Sequence, residues 1–298
     1  MSFLALEVLL ELTQLLISGV SQGCVYGLIA SGFVLIYKAT EMVNFAQGDL
    51  MMFGAFLAYA FISIFNFPFA LGLVAAVLAM AGIGALIERF AIRPMIGEPH
   101  FSVLMITIGL GFIFRALAGF IWGSEPKSLE TPYAGKFFDF DGLIIGIENI
   151  VIVLGTLALC SALAFFFKTT SLGKAMQAAS QNQLAAMYVG ISVKKINSIT
   201  WAIAAAISAV AGILIAPVSL IDPQIGFIGV KAFAAAIVGG FGSLPGAIIG
   251  GLIIGIGEQF AGLYLPPGFS EVTAYAILLT MLLIRPHGIL TSVQIKKM

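Results

Sequence analysis

Apolar residues fall along this chain in long blocks that are separated by short polar segments. The blocks run over residues 6–37, 50–66, 68–92, 101–122, 147–168, 196–216, 229–262 and 270–285. A helix needs about 20 mainly apolar residues to cross the hydrocarbon core of a bilayer. The blocks lack the alternation of polar and apolar positions that a membrane β-barrel strand requires, so each block predicts a membrane-spanning helix.

Two of the blocks are too long for one plain helix. Block 6–37 would measure about 48 Å as a single helix, and a kink or break is expected at its glycines, Gly19, Gly23 and Gly27. Block 229–262 is interrupted by the sequence GGFGSLPG, which favours a broken helix or two segments. We therefore expect an all-α polytopic membrane protein with about eight transmembrane helices, or nine to ten, and a broken or re-entrant Gly/Pro-rich segment.

The composition narrows the class of protein further. Of the 298 residues, 60% are hydrophobic and 9% are charged, and the mean hydropathy is +1.11. A soluble domain carries about 25% charged residues, so we expect one transmembrane domain over 1–298, held in a lipid bilayer and without a nucleic-acid partner. The 34 glycines suit such a bundle, because small residues let helix backbones approach closely.

Basic residues are distributed unevenly between the polar segments. The loop 123–148 holds five acidic and two basic residues, whereas the loop 169–195 holds three lysines and no acidic residue. Because cytoplasmic loops are enriched in Lys and Arg, 169–195 is predicted to be cytoplasmic and 123–148 to lie outside. The basic C-terminal tail is also predicted to be cytoplasmic, which eight simple crossings do not allow. An extra crossing or a re-entrant segment is therefore expected near 231–246.

The cytoplasmic loop 169–195 carries signals for two short helices. Ser171 is a candidate N-cap for a helix over 172–181. Asn182 is a candidate N-cap for a second helix over 183–189, which Gly190 would end.

The second of these helices has a face that a partner could bind. Leu184, Met187 and Tyr188 would share that face, and the small residues Ala178, Ala179, Ala185 and Ala186 would let a partner backbone approach. Composition leaves two interpretations open. The helix either only joins two spans at the membrane surface, or it docks into a groove on a partner and transmits the movement of that partner.

A polar break, KATEMVNFAQGD, follows the first apolar block. It is either a short loop at the membrane edge or a segment whose Asn44, Gln47 and Asp49 line a route between helices. Residues 30–49 and 210–229 both lead from a small-residue helix into such a break, which suggests two related halves of the kind found in transporters.

The Gly/Pro-rich interruption is the second candidate for a path-lining element. Its residues are Gly239, Gly240, Gly242 and Pro245. The segment is either a broken element beside the translocation path or a place of tight packing.

Charged residues inside the apolar blocks are costly, by about +2.5 to +3.5 kcal/mol at a helix centre. Arg115 and Glu258 are the candidates, and they either pair directly with each other or reach the lipid headgroups. Lys231 is expected at the outer interface.

Signals for catalysis are missing from the sequence. The segment LGKAM contains Gly173 and Lys174 but neither the preceding glycine nor the following Ser or Thr of a phosphate-binding loop. His100 and His287 have no Cys or carboxylate at metal-ligand spacing, and no nucleophile–base arrangement is visible. We therefore expect a non-catalytic chain without metal or cofactor. Cys24 and Cys160 lie in apolar blocks and are expected to be buried free thiols.

Three ordered motifs resemble the LivH-type permease family, the membrane subunits of branched-chain amino acid ABC importers. They are SQGCVYGLIASGFVLIYKATEMVNFAQGDLMMFGAFLAY, LGKAMQAASQNQLAAMYVGI and FAAAIVGGFGSLPGAIIGGLIIG. The similarity covers about residues 10–290. One departure is that Gln177, Ala178 and Ala179 stand where many other importer families have Glu-Ala-Ala.

The resemblance implies a function and a set of partners. The chain would form the translocation path of an ATP-driven importer in the bacterial cytoplasmic (inner) membrane as a multi-pass protein, with branched-chain amino acids as the default substrates. Its partners would be a second homologous permease in a heterodimer, two ABC ATPase subunits and a periplasmic or extracellular substrate-binding protein. The loop 175–190 would dock the ATPases, through Ala178, Ala179, Asn182, Leu184, Ala185, Met187, Tyr188 and Gly190. The alternative is a self-sufficient channel or secondary transporter, which would need ion-coupling or selectivity residues within the spans.

Overall fold

The computed structural model describes residues 3–140 and 143–290. The helices are α1 (Phe3–Thr40), α2 (Gln47–Tyr59), α3 (Phe69–Ile87), α4 (His100–Trp122), α5 (Ile147–Thr169), α6 (Ser171–Gln181), α7 (Gln183–Tyr188), α8 (Val193–Ile215), α9 (Ile228–Gly239), α10 (Leu244–Tyr264) and α11 (Phe269–Ile284). Single π and 3-10 turns extend α2 to Ile64 and α3 to Met95, and a 3-10 turn over Ile225–Phe227 precedes α9.

Each apolar block of the sequence forms helix. Among the described residues, seven helices are long and apolar enough to cross a membrane, and α9 and α11 are shorter apolar helices. The break expected in block 229–262 is confirmed, because α9 ends at Gly239 and α10 begins at Leu244. The all-α polytopic fold predicted from the sequence is therefore confirmed.

The break expected in the first block is wrong, because α1 is one continuous helix. Its three glycines instead form a seam against α10. A Cβ atom on Gly19 would lie 2.8 Å from the Cα of Ile256, and one on Gly27 would lie 2.9 Å from the Cα of Ile248. The two backbones can approach this closely only because side chains are missing at these positions.

The helices fall into a central and a peripheral group. In α1, 89% of the most apolar 18-residue stretch is buried inside the protein, whereas the corresponding share of α5 is 11%. Helices α1, α2 and α8 form the core, with α10 against α1 and α3 against α8. Helix α5 therefore lies at the edge, where few neighbours hold it.

Helix α2 begins inside the bundle rather than at its edge. The amide of Gln47 lies beside Gly32, which is two turns back along α1 from its end at Thr40. At 1.5 Å per residue this places the start of α2 about 12 Å inside the end of α1.

The segment after α4 contains a β-hairpin that the sequence did not predict. Strand β1 (Phe137–Phe140) pairs antiparallel with β2 (Leu143–Gly146), in a register that sets Phe137 opposite Gly146. The same side of the molecule carries a backbone bridge between Lys127 and Ile221, which joins this segment to the connection between α8 and α9.

The end of the described chain returns to the side on which α9 ends. The N–H of Ile289 donates to the carbonyl of Val238 (3.0 Å), and the N–H of Leu290 donates to the carbonyl of Gly239 (3.1 Å). Helix α9 is therefore the extra element expected near 231–246. It places residues 285–290 on the same side as the basic loop that contains α6 and α7. Lys296 and Lys297 of the basic tail lie outside the described residues.

Candidate coupling loop and translocation groove

The two short helices of the basic loop are both capped by side chains. The Oγ1 atom of Thr170 accepts from the N–H of Gly173 (2.9 Å), so the N-cap of α6 is Thr170, and the expected cap at Ser171 is wrong by one residue. An N-cap residue has an extended backbone, as Thr170 does, whereas Ser171 is already helical. The hydroxyl of Thr170, and not that of Ser171, therefore caps α6. The Asn182 cap is confirmed, with its Oδ1 atom accepting from the N–H of Ala185 (3.0 Å).

The C-terminal end of α7 has the geometry expected for glycine. Gly190 has φ +86°, a left-handed conformation that costs a residue with a Cβ atom free energy. Its N–H donates to the carbonyl of Met187 (3.0 Å), and that of Ile191 donates to the carbonyl of Ala186 (2.9 Å). This is a Schellman-like ending, so α7 is a short helix fixed at both ends.

The outward face of α7 is apolar and uncovered. The exposed fractions of Leu184, Met187 and Tyr188 are 64%, 50% and 88%, and that of the following Val189 is 77%. The other predicted docking residues that are exposed are Ala178, Asn182, Ala185 and Gly190, whereas Ala179 is buried and faces the bundle. Their contact with an ATPase stays a prediction.

The inward face of the same loop is attached to the bundle at two places. On α6, a Cβ atom on Gly173 would lie 2.7 Å from the Cα of Phe167, so the start of α6 packs directly on the end of α5. The side-chain amide of Gln177 also donates to the carbonyl of Phe167 (3.3 Å). On α7, the side-chain amide of Gln183 donates to the carbonyl of Ala39 at the end of α1 (2.8 Å).

The polar break between α1 and α2 is buried and internally hydrogen-bonded. The side-chain amide of Asn44 donates to Oε1 of Gln47 (3.0 Å), and its Oδ1 atom accepts from the N–H of Ala46 (3.1 Å). Gln47 in turn donates to Oγ of Ser208 on α8 (2.7 Å). The side-chain amides of Asn44 and Gln47 thus provide hydrogen-bond partners within this irregular segment and connect it to α8. Backbone polar groups at membrane depth need such partners, because no water is available there. Direct contact between Asn44 or Gln47 and a substrate stays a prediction.

Asp49 lies where the first turns of α2 and α9 meet. Its carboxylate accepts from Nε of Arg115 (2.6 Å), and it packs against Gly226 in the turn before α9. The guanidinium of Arg115 also lies 4.0 Å from the ring centroid of Phe227, in a cation–π arrangement. A direct pair between Arg115 and Glu258 was one of two alternatives that the sequence left open. It is wrong, because each of them has another partner.

Glu258 belongs to a second buried polar cluster. Its carboxylate accepts from the hydroxyl of Tyr26 (2.6 Å) and lies 3.0 Å from Nζ of Lys231. The side-chain amide of Gln22 donates to the Tyr26 oxygen (2.6 Å). Lys231 was expected at the outer interface. The structure shows its ammonium group beside Glu258, where α9 packs on α10, and its depth in the membrane stays a prediction.

The Gly/Pro-rich break is a compact turn between α9 and α10. The backbones of Gly239 and Gly246 are in direct contact, and Gly240 has φ +103°. The Oγ atom of Ser243 accepts from the N–H of Gly246 (3.1 Å) and so caps α10. The predicted path residue Pro245 occupies the first turn of α10, where a missing N–H has no cost.

A groove of about 840 Å³ runs along α1 between α5 and α10. Its lining extends along α1 from Val20 to Lys38, which is about 27 Å at 1.5 Å per residue. The surface is mainly apolar, with hydroxyl groups from Ser31, Thr156 and Ser161. Among the predicted path residues, Gly242 and Pro245 line this groove, whereas Asn44, Gln47, Asp49, Gly239 and Gly240 are not part of its lining.

Sequence reasoning missed several residues that organise these sites. Tyr26, Ser208 and Thr156 are polar residues inside apolar helices, and that isolation was the available signal. No signal in the sequence pointed to Met176, because only the packing of α6 shows that this residue lines the groove. Among the described residues there is no group of three or more His, Cys, Asp or Glu that could hold a metal ion.

Comparison with known sequences decides the family. The family described as branched-chain amino acid transport system, permease component, matches residues 15–284. The chain belongs to this family. The LivH-type resemblance of the three motifs is thereby confirmed, and this permease is a multi-pass membrane protein with the subunit context of an ABC transporter.

Several relatives resemble the permease over nearly its whole length. The high-affinity branched-chain amino acid transport system permease protein LivH of Escherichia coli strain K12 is 32% identical, over 98% of this chain and 99% of that one. The permease protein BraD of Pseudomonas aeruginosa, of the same system type, is 32% identical over 95% and 97%. The fructose import permease protein FrcC of Rhizobium meliloti is 23% identical over 79% and 67%.

A solved structure shares the fold of the permease. The structure of PsaBC from Streptococcus pneumoniae in complex with Fab superposes with a TM-score of 0.50 and 16% identity, over 91% of each chain. At this identity the likeness concerns the fold alone.

Proposed function

We propose that this permease is the membrane-spanning subunit of an ATP-driven importer for branched-chain amino acids or closely related small solutes. It sits in the bacterial cytoplasmic membrane and pairs with a second, homologous permease. Two ABC ATPase subunits bind it from the cytoplasm, and a soluble binding protein delivers the substrate from outside. The observation that carries this proposal is the uncovered apolar face of a rigidly capped helix, α7, on the basic side of the membrane.

The face of α7 has the features of a docking site. Leu184 and Tyr188 extend outward from a helix that is fixed at both ends, so binding them costs little conformational entropy. Large apolar and aromatic side chains at the centre of an interface contribute most of its binding free energy. The lysines around α7 keep this loop on the cytoplasmic side, where ATP is available.

The groove beside α1 is the proposed share of this chain in the translocation path. It is long enough to cross most of a bilayer, and a second permease would complete its wall. Its lining of aliphatic side chains with a few hydroxyl groups suits a solute that combines an aliphatic side chain with polar ends.

The buried charges argue against a self-sufficient ion-coupled transporter. Such a protein needs carboxylates that are free to bind Na⁺ or H⁺ near the middle of the membrane. In the part of the chain that the structure describes, the buried carboxylates Asp49, Glu88 and Glu258 each have a basic partner within 3.0 Å. The pairs of Asp49 and Glu258 join different helices and are therefore suited to holding helices together, whereas Glu88 pairs with Arg93 within the extended α3.

Replacing Leu184 and Tyr188 by Asp tests the docking proposal. The double variant and the parent would be expressed with the ATPases and the second permease, then purified gently through a tag on this chain. We expect the variant to insert normally but to lose ATPase association at least about tenfold, which corresponds to 1.4 kcal/mol or more. ATP-driven uptake into proteoliposomes should fall in parallel.

A matched control uses exposed apolar residues on the opposite side of the molecule. Phe137 and Ile144 of the β-hairpin are 61% and 49% exposed, and replacing both by Asp should leave ATPase association unchanged. Full ATP-driven uptake by the Leu184/Tyr188 variant would show that α7 only connects two spans. Uptake by the parent chain alone, without any ATPase, would refute the importer proposal as a whole.

A further inference from the structure

Two partly exposed cations lie on either side of the start of α9. The side chains of Arg115 and Lys231 are 24% and 22% exposed. The carboxylates that they pair with, Asp49 and Glu258, are each only 4% exposed. In both pairs the carboxylate therefore lies behind its cation, and this face of the molecule presents positive charge outward.

The surface between the two cations is apolar. Phe227 and Val230 are 50% and 47% exposed. The guanidinium of Arg115 lies 4.0 Å from the ring centroid of Phe227. Lys231 follows Phe227 by four residues, which sets the two side chains side by side at the start of the helix. An exposed apolar patch thus connects Arg115 to Lys231.

The charges of this face lie away from the ends of their helices. Arg115 is seven residues, about 10 Å, from the end of α4 at Trp122. Glu258, which holds Lys231, is six residues, about 9 Å, from the end of α10 at Tyr264. Charged groups inside membrane spans face protein or water rather than lipid. The exposed side of these cations therefore requires polar surroundings.

The cation on α9 is held in position by a network of side chains. The hydroxyl of Tyr26 donates to the carboxylate of Glu258 (2.6 Å), and the side-chain amide of Gln22 donates to the Tyr26 oxygen (2.6 Å). The side-chain amide of Gln259 donates to Oε1 of Gln22 (2.5 Å). These bonds fix the carboxylate to which Lys231 is paired, so its ammonium group has a defined place before any ligand arrives.

This cationic face is separate from the groove. On α1, Gln22 and Tyr26 are each two residues from the groove residue Cys24, which is about half a turn around the helix. Neither Arg115 nor Lys231 belongs to the lining of the groove. The face is therefore a second surface on which this chain can contact a solute.

We propose that Arg115 and Lys231 bind the carboxylate of the solute, while Phe227 and Val230 contact its aliphatic side chain. This inference rests on the proposed function. Arg115 uses Nε and one terminal nitrogen for Asp49, which leaves the other terminal nitrogen to donate outward. Guanidinium groups match carboxylates in geometry and charge.

The buried carboxylates give this site the affinity that a transporter needs. Each cation already has a negative partner, so a solute carboxylate meets a positive surface on a pair that is neutral as a whole. Binding is then favourable but moderate. A solute in transit must bind strongly enough to enter and weakly enough to leave.

Two double variants without unpaired charges test the site. One is Lys231→Met with Glu258→Gln, and the other is Arg115→Met with Asp49→Asn. Each removes a cation together with its partner, so no buried charge is left alone.

The measurement is the melting temperature of the detergent-purified complex of both permeases and the ATPases, without the binding protein. It would be followed in rising concentrations of leucine or of leucinamide, which lacks the carboxylate. A ligand that binds only the folded state stabilises it. We expect leucine to raise the melting temperature of the parent complex, and leucinamide to require at least a tenfold higher concentration for the same rise. Each double variant should require at least tenfold more leucine, and its uptake from leucine-loaded binding protein should fall at least tenfold.

Lys136→Met is the matched control. It removes the same charge from an exposed lysine just before the β-hairpin, and it should keep the parental response to leucine. Each response is read as the shift from the variant's own melting temperature without ligand, so a change in basal stability does not enter the comparison.

Four results would overturn the site. They are no leucine-dependent rise in the parent, an equal rise with leucinamide, a parental response in either double variant, and loss of the response in the Lys136 control. Loss of the second permease from the purified double variants would show that this face is a contact between permeases, which also overturns the site. A parent complex that does not bind ATPases would instead refute the proposed function.

Discussion

Gly48 and Gly229 lie against each other where two helices begin. A Cβ atom on Gly229 would lie 2.6 Å from the Cα of Gly48, and one on Gly48 would lie 2.7 Å from the Cα of Gly229. Gly48 belongs to the polar break after α1, and Gly229 belongs to the break after α8. The two segments that the sequence pairs as possible repeats therefore meet inside the bundle, although a common origin of the two halves stays a prediction.

Replacing Gly229 by Ala should destabilise the permease. The added methyl group would meet backbone atoms of Gly48, and overpacking of this kind costs about 1–3 kcal/mol. We expect a lower melting temperature in detergent, measured by the intrinsic fluorescence of the purified protein during heating. Gly82→Ala is the control, because nothing lies within 4 Å of a Cβ atom there. A Gly229 variant that melts at or above the temperature of the control would contradict the close contact.

Removing the charge of Glu258 should cost more than removing its hydrogen bond from Tyr26. Glu258→Gln leaves the ammonium of Lys231 without its partner, and breaking one half of a buried pair costs about 3–5 kcal/mol. Tyr26→Phe removes a single hydrogen bond to a charged group, worth about 1.5–3 kcal/mol. Denaturation in mixed micelles would give both values.

A second substitution should relieve the loss at Glu258. With Lys231→Met added, no charge is left unpaired, so the double variant should be more stable than Glu258→Gln alone. Equal stability of these two variants would mean that the ion pair contributes nothing to helix packing.

Asn182→Ala should loosen α7 while leaving the transmembrane bundle intact. Loss of the N-cap bond to the N–H of Ala185 costs about 1 kcal/mol, which is large for so short a helix. Hydrogen exchange of the amides of residues 183–188 should speed up, with no change in the melting temperature. Asn182→Ser keeps a capping oxygen and should retain slow exchange. Similar rates in both variants would exclude the cap as the source of order.

The native thiols should differ in their reactivity. Cys24 and Cys160 are both free and both line the groove, but Cys24 is only 5% exposed whereas Cys160 is half-buried. A small membrane-permeant maleimide should therefore modify Cys160 first, as mass spectrometry would show, and should slow uptake by the assembled transporter. Cys160→Ala should make uptake resistant to the reagent. Inhibition that persists in this variant would place the sensitive site outside the groove.

Local signals predicted much of this structure. Apolar length located the helices, and the Asn182 and Gly190 signals set the ends of α7, because capping depends on residues a few positions apart. The α6 cap was misplaced by one residue because Thr170 and Ser171 both carry a hydroxyl.

The sequence alone could not predict which distant helices pack against each other. Arg115 meets Asp49 and not Glu258 because α4 packs on α2, and a single sequence contains no information about such neighbours. Likewise, the glycines of α1 were expected to bend it, but the seam against α10 uses them for contact. The groove exists because α5 and α10 remain apart beside α1. That separation depends on how all the helices pack together, which a single sequence does not show.

The bonds that Ile289 and Leu290 make to the end of α9 have a consequence for how α10 and α11 can move. Both helices lie between the bonded residues, so these hydrogen bonds close the segment into a ring. A shift of α11 along the membrane normal relative to α9 would break both bonds. We therefore expect α9 and α11 to move as one unit.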